Sequence, residues 1–162
     1  MAKIIIVNEK DEIIGEVERQ DETWDDICRV SALWIENSKG DVLLAQRSFK
    51  KRYNPGKWGP AVSGTVEVGE TYDSNIYKEA EEEIGLVGYE FEKIQKIRTS
   101  RSHNYFCQWY RLAIDKDIEY FRIDPEEVEQ IRWFSRDELR KAVEAEPEKF
   151  GTTIKAFLNG EW

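Results

Sequence analysis

Apolar and polar positions are grouped along this chain so that its elements can be read off in order. Residues 3–7 (KIIIV) and 13–17 (IIGEV) are β-prone runs joined by the polar turn NEKDE. Residues 20–26 are polar and predict a loop. Residues 28–35 and 42–45 are apolar runs separated by Asn37-Ser38-Lys39-Gly40, a hairpin signal. Residues 48–60, SFKKRYNPGKWGP, predict a basic loop closed by Asn54-Pro55-Gly56, and residues 61–63 a short strand after it.

The period then changes from two to nearly four. Ile76, Ala80 and Ile84 recur every four residues and predict a helix over about residues 71–84, seated on a core by that stripe. Residues 89–97 and 104–114 read as long strands, and 131–134 as another, preceded by Asp124-Pro125. Ser135-Arg136-Asp137-Glu138 is a helix start of the capping-box type with Leu139 and Val143 behind it. A last helix from about residue 146 is expected to carry Phe150, Ile154, Phe157 and Leu158 inward. Mixed strands, a central helix and C-terminal helices predict an α/β sandwich built as one domain over residues 1–162.

Composition narrows the class. The 162 residues suffice for one domain with a real core. No apolar run approaches membrane-spanning length, and the IIIV run near the start is too short for a signal peptide. Cys28 and Cys107 are too few for a disulfide scaffold and lack metal-finger spacing, so free buried thiols and a cytoplasmic location are expected. A net charge of −9 does not attract nucleic acid or phosphates through its overall field. A phosphate-bearing ligand then needs cations and local basic residues.

The helix supplies the chemistry for such cations. Glu79, Glu82 and Glu83 stand at i, i+3 and i+4 and share one face, while Glu81 falls away from them. Crowded carboxylates repel one another unless a cation sits among them, and oxygen-only ligands favour Mg²⁺ or Mn²⁺. Glutamate runs are usually solvated faces, and this chain is 35% charged. The flanks favour the metal site: Gly64, Gly69-Glu70 and Gly85 look like a strand-to-loop bend, a turn and a C′ helix stop.

GTVEVGETYDSNIYKEAEEEIGL, residues 64–86, resembles the Nudix box: glycine, five residues, glutamate, seven residues, arginine-glutamate, an apolar residue, one residue, two glutamates, one residue, glycine, apolar. Gly64, Glu70, Glu79, Ala80, Glu82, Glu83, Gly85 and Leu86 fit, and the family's arginine is Lys78 here. The resemblance implies an α/β/α sandwich with a mixed sheet and the box helix at the metal site. It implies a hydrolase of nucleoside diphosphate derivatives, or related organic diphosphates, dependent on Mg²⁺ or Mn²⁺. Metal ions clamp the non-bridging oxygens and acidify a water that attacks phosphorus. On that reading Glu79, Glu82 and Glu83 are ligands, with Glu79 or Glu83 also taking a proton. Glu70 orients the box or binds an outer metal, and the Gly64 carbonyl adds a ligand. In the family the box arginine holds carboxylates through a forked contact; Lys78 keeps the charge and loses the fork. Members often add a later acid, for which Glu119, Glu126, Glu127 and Glu129 are candidates. Homodimers are common among them.

The segment LLAQRSFKKRYNPGKW resembles that before the box in isopentenyl diphosphate isomerase and its hydrolase-like relatives, where an arginine and a lysine four residues later contact the diphosphate. Those positions are Arg47 and Lys51 here, and Arg19 is a third candidate. The isomerase itself needs a cysteine entering the box and several histidine ligands. This chain reads WGPAVSG there and carries the single histidine His103, which favours hydrolysis. A binding or regulatory domain without turnover is the other class, with Lys78 as its one sequence hint.

Overall fold

Strand β1 (Lys3–Val7) pairs antiparallel with β2 (Ile13–Glu18) in the computed structural model, which describes residues 2–101 and 103–160. The Asn8 side chain shapes the turn between them by accepting from the N–H groups of Lys10 and Glu12. Asp11 follows at φ 60°, a left-handed conformation that Asp adopts more readily than most residues. From there its carboxylate accepts from Arg29 Nε at 2.8 Å, Tyr72 Oη at 3.0 Å and Lys96 Nζ at 2.6 Å.

The next strand, β3 (Ile27–Glu36), is the axis of the sheet. Along one edge, from Cys28 to Glu36, it pairs in parallel with β8 (Asn104–Ala113). Its other edge takes β1, then β6 (Val62–Thr65), then β4 (Val42–Arg47), all antiparallel. Strands β5 (Trp58–Pro60) and β9 (Val128–Phe134) pair with β4, and β7 (Glu92–Ser100) pairs with β8.

Because successive side chains of β3 alternate between faces, the strand serves two cores. Leu33 and Ile35 pack with Ile76, Ala80 and Ile84 of helix α1 (Tyr72–Ile84), the stripe read from the sequence. Ala32 and Trp34 pack on the opposite side with Leu139 of α2 (Arg136–Ala145), Phe150, and Ile154 of α3 (Thr152–Leu158). The architecture is the expected α/β/α sandwich around a mixed sheet.

Strand β9 begins at Val128, three residues before its expected start, and three further elements depart from the expected boundaries. The basic loop contains β5, whose Trp58 is buried edge-on to Phe134 at 5.3 Å. Gly59 and Pro60 punctuate the sequence there and conceal a strand that keeps Pro at its end. Strand β7 starts at Glu92 because Phe91 turns into the core, stacked on Tyr77 at 4.4 Å. The last helix is divided: a 3₁₀ turn, Pro147–Lys149, precedes α3. At the break Phe150 is extended, and Gly151 N–H donates to the Trp58 carbonyl at 2.9 Å, so the backbone joins the sheet instead of continuing as helix. Phe150 and Ile154 are buried as expected, and Phe157 and Leu158 are partly buried against the same cluster.

Candidate active site

Helix α1 is fixed at both ends by local chemistry. The Thr71 hydroxyl accepts from Ser74 N–H while the Ser74 hydroxyl accepts from Thr71 N–H. At its C-terminus Gly85 adopts φ 67°, and Gly85 and Leu86 N–H groups bond the carbonyls of Glu81 and Ala80. Between these caps the three glutamates are graded by depth: Glu82 is exposed, Glu79 is half-buried, and Glu83 is 8% exposed. Glu81 points to solvent, as its phase on the helix requires.

Gly64 is in the interior of β6, paired opposite Ser31, and is not the strand-to-loop bend expected from the sequence. Its smallness serves a close approach instead. A Cβ there would lie 2.5 Å from Glu79 Cγ and 2.7 Å from Cδ. The turn role falls to Gly69, at φ 89°.

Neighbouring cations only partly compensate Glu79 and Glu83. Burial, then the charges of Glu79 and Glu127, pushes the Glu83 carboxyl well above its usual range, against the opposing effects of Arg47 and the Ser63 N–H. Its Oε2 is buried without a hydrogen-bond partner, a costly state for a carboxylate oxygen. Burial also pushes Glu79 up to about 7; Lys78 opposes this, and Glu82, Glu127 and Glu70 add to it. Among the described residues, no three Asp, Glu, His or Cys side chains form a closed metal-ligand group. The glutamates line the cleft at separate points, as mutually repelling carboxylates do.

Lys78 reaches three of these acids, with Nζ 2.8 Å from Glu70 Oε2, 3.4 Å from Glu67 Oε2 and 3.7 Å from Glu79 Oε1. Glu70 is held on its other oxygen, where Oε1 accepts from Glu67 N–H at 2.8 Å and Asn75 Nδ2 at 3.3 Å. Burial opposes ionisation of Glu70, but these donors outweigh it and keep its carboxyl below the usual range.

Of the four downstream acids, the chain brings Glu127 to the site. Its turn is anchored to the end of α1 by Asp124 N–H donating to the Glu83 carbonyl, and to the basic loop by Ser48 N–H donating to the Glu127 carbonyl. Glu126 pairs with Lys50 at the surface, and Glu119 and Glu129 are exposed. Nothing in the sequence separates Glu127 from its neighbours, because its position depends on long-range backbone bonds.

A cleft of about 700 Å³ gathers most of the expected residues: Arg19, Arg47, Lys51, Gly64, Glu79, Glu82 and Glu83 line it, together with Glu127. Glu70 is not on its wall. Arg47 is aimed by a bond from Nε to the Tyr53 carbonyl at 2.9 Å, and it faces Glu83 and Glu127. Lys51 Nζ lies 2.5 Å from Glu127 Oε2. A second cavity of about 160 Å³ shares Arg47, Ser63, Glu83 and Glu127 with the cleft and runs inward to Trp58, Cys107 and Trp109. Sequence reading overlooked Asn75 and Glu67; the rings of Tyr53 and His103 lie edge-on, 4.7 Å apart, on the cleft wall.

The chain is similar to known proteins along most of its length. The profile of the NUDIX domain matches residues 28–154. A prenyl-diphosphate phosphatase of Methanosarcina mazei is 31% identical, over 80% of this chain and 76% of its own. An isopentenyl-diphosphate Delta-isomerase of an Enterobacter species is 24% identical, over 91% of this chain and 84% of its own. A crystal structure from Deinococcus radiodurans superposes with a TM-score of 0.78 at 25% identity, covering 89% of this chain and 90% of that one.

Proposed function

The chain belongs to the Nudix family and is a pyrophosphohydrolase; on that premise we propose that its substrate is a small organic diphosphate whose phosphates lie in the cleft and whose organic group enters the inner cavity. The observation that carries this reading is that the two spaces are lined in common by Arg47, Ser63, Glu83 and Glu127. A molecule clamped by its phosphates beside the acids can extend its other end towards Trp58, Cys107 and Trp109. Those three walls offer apolar contact to a short organic group, while Gln46, Asn54, Lys57 and Thr152 line the rest of the cavity. The prenyl-diphosphate phosphatase among the relatives supports the same choice. A nucleoside diphosphate derivative is the second reading, favoured by the Tyr53 and His103 rings, which offer a surface for a base.

The acids fit a hard divalent cation. The buried, unpartnered Oε2 of Glu83 and an all-oxygen donor set suit Mg²⁺ or Mn²⁺. Glu79, Glu82 and Glu83 would hold it, with Glu127 and the Gly64 carbonyl as further oxygen donors. When bound, such an ion supplies positive charge against the diphosphate and acidifies the attacking water. The chain's own residues do the rest. Arg47 and Lys51 bind the phosphates, one as a fork and one as a point charge, and Arg19 adds charge from the same wall. Glu79, half-buried and facing the cleft, takes the water's proton. Glu70 acts through Lys78 and touches no reacting atom.

This reading takes residues 1–162 as one domain, because β1 and β2 precede the matched segment and hydrogen-bond into the same sheet. Among the described residues no helix is long and apolar enough to cross a membrane. The free thiols of Cys28 and Cys107 are buried, which suits a reducing compartment and supports a cytoplasmic location. A net charge of −9 and an acid-lined cleft argue against a nucleic-acid partner.

The test is a substrate screen with products identified by mass. Isopentenyl and dimethylallyl diphosphates, nucleotide sugars, dinucleotides and nucleoside triphosphates would each be incubated with Mg²⁺ and with Mn²⁺. Release of inorganic phosphate from the prenyl diphosphates is expected. Turnover confined to nucleotides would overturn the apolar assignment, and an isomerised product would replace hydrolysis altogether.

A further inference from the structure

Asn75 is a fully buried polar residue on the core side of α1, one position before the stripe residue Ile76. Its amide is held from two sides. Ser31 Oγ, on β3, donates to Oδ1, while Nδ2 donates to the Thr65 carbonyl at 3.2 Å and to Glu70 Oε1 at 3.3 Å. Both acceptors facing Nδ2 lack hydrogens, so the orientation of the amide is determined by its neighbours.

Glu70 therefore has Oε1 shared between the Glu67 N–H, at 2.8 Å, and Asn75, and Oε2 on Lys78, whose Nζ is 2.8 Å away. A guanidinium can bond both oxygens of a carboxylate at once with a fixed direction, whereas an ammonium is a point charge with no preferred plane. Asn75 and Lys78 are three residues apart and lie side by side on the helix. We propose that Asn75 and Lys78 together replace a forked side chain: Asn75, as the second donor to Oε1 beside the Glu67 N–H, fixes the rotation of the Glu70 carboxylate, and Glu70 so fixed holds the Lys78 ammonium within reach of Glu79. Without Asn75, Oε1 of Glu70 keeps a single donor, the Glu67 N–H, about which the carboxylate can tilt, and Lys78 can follow it towards Glu67 Oε2, which already lies 3.4 Å away. Asn75 is thus a positioning residue, acting on Glu79 through two intermediates. The inference requires only the hydrogen bonds, although its bearing on catalysis rests on the proposed metal site.

A double-mutant cycle tests it in metal-free protein. Asn75→Ala is expected to lower Tm by about 5 °C in the natural background and by less than half as much with Lys78→Arg, since a forked side chain makes the amide redundant. If Asn75 serves only the core, through Ser31 and Thr65, the two losses will be equal and the proposal is overturned. Should Asn75→Ala not fold, Asn75→Ser, which is too short to reach Glu70, enters the same cycle. Mn²⁺ titration by calorimetry supplies the second readout: Asn75→Ala should weaken binding about fivefold, with recovery on adding Lys78→Arg. Weakened binding that does not recover would count against the pair. Coupling in Tm with no Mn²⁺ binding by any variant would sustain the pair and refute the metal site instead.

Discussion

Glu79 fills the volume that any side chain at position 64 would occupy, since a Cβ on Gly64 would stand 2.5 Å from Glu79 Cγ. Gly64→Ala must therefore displace the carboxylate, because β6 is hydrogen-bonded into the sheet and cannot retreat. Turnover should fall on the order of 100-fold, the usual effect of shifting a reacting group by about an ångström, with Tm within a few degrees of the unaltered protein. Steady-state kinetics beside a thermal melt checks this; unchanged kcat would mean that Glu79 is not where the chemistry happens.

Glu82→Gln and Glu83→Gln keep shape and remove charge. Each should cut kcat on the order of 10²-fold or more under saturating Mg²⁺ while the circular dichroism spectrum stays the same. Wild-type rates in both variants would remove these residues from the metal site.

The pH dependence of stability follows from the same acids in metal-free protein. Burial and neighbouring carboxylates raise the folded-state pKa of Glu83, and of Glu79 to about 7, from an ordinary value of 4.5. The folded protein thus binds these protons more tightly than the unfolded chain does. Their contribution is complete below 4.5 and is lost as pH climbs through the folded values, near 7 for Glu79. In EDTA, Tm should fall between about pH 5 and about pH 8, and fall less in Glu83→Gln. Equal slopes in the two proteins would exclude Glu83 as a source.

Asp11 works in the opposite direction and in a lower window. Burial resists its charge, yet donors from Lys96, Arg29 and Tyr72 hold its carboxyl below the ordinary value of 3.8, so its contribution is present above that value and lost as pH falls through the lower folded one. Asp11→Ala strands Arg29 and Tyr72 and should cost about 2–3 kcal/mol by urea unfolding, leaving kcat within twofold. A loss below about 0.5 kcal/mol would show that the hub is a surface decoration.

The α1 stripe, its glycine stop and the shared face of Glu79, Glu82 and Glu83 were readable because they follow from helical period alone. Both faces of β3 were readable as one apolar run, though which side chains met which helix was not. What escaped were features set by distant chain. Glu127 reaches the cleft through carbonyls of Glu83 and Asp124 and an amide of Ser48. The role of Gly64 depends on Glu79 lying across it, which a turn-based reading of glycine does not contain. The last helix broke where a backbone bond to Trp58 outweighed continued apolar spacing.

The parallel seam between β3 and β8 bears on how this protein comes into being. Cys28 to Glu36 must find Tyr105 to Ala113 across nearly half the chain, so closing that loop costs entropy before any contact repays it. The box helix can form locally on its caps, but the wall that carries Tyr105 and Cys107 arrives only with the seam. During synthesis the acids are therefore made early and enclosed late, and a chain arrested before β8 would present its glutamates to open water.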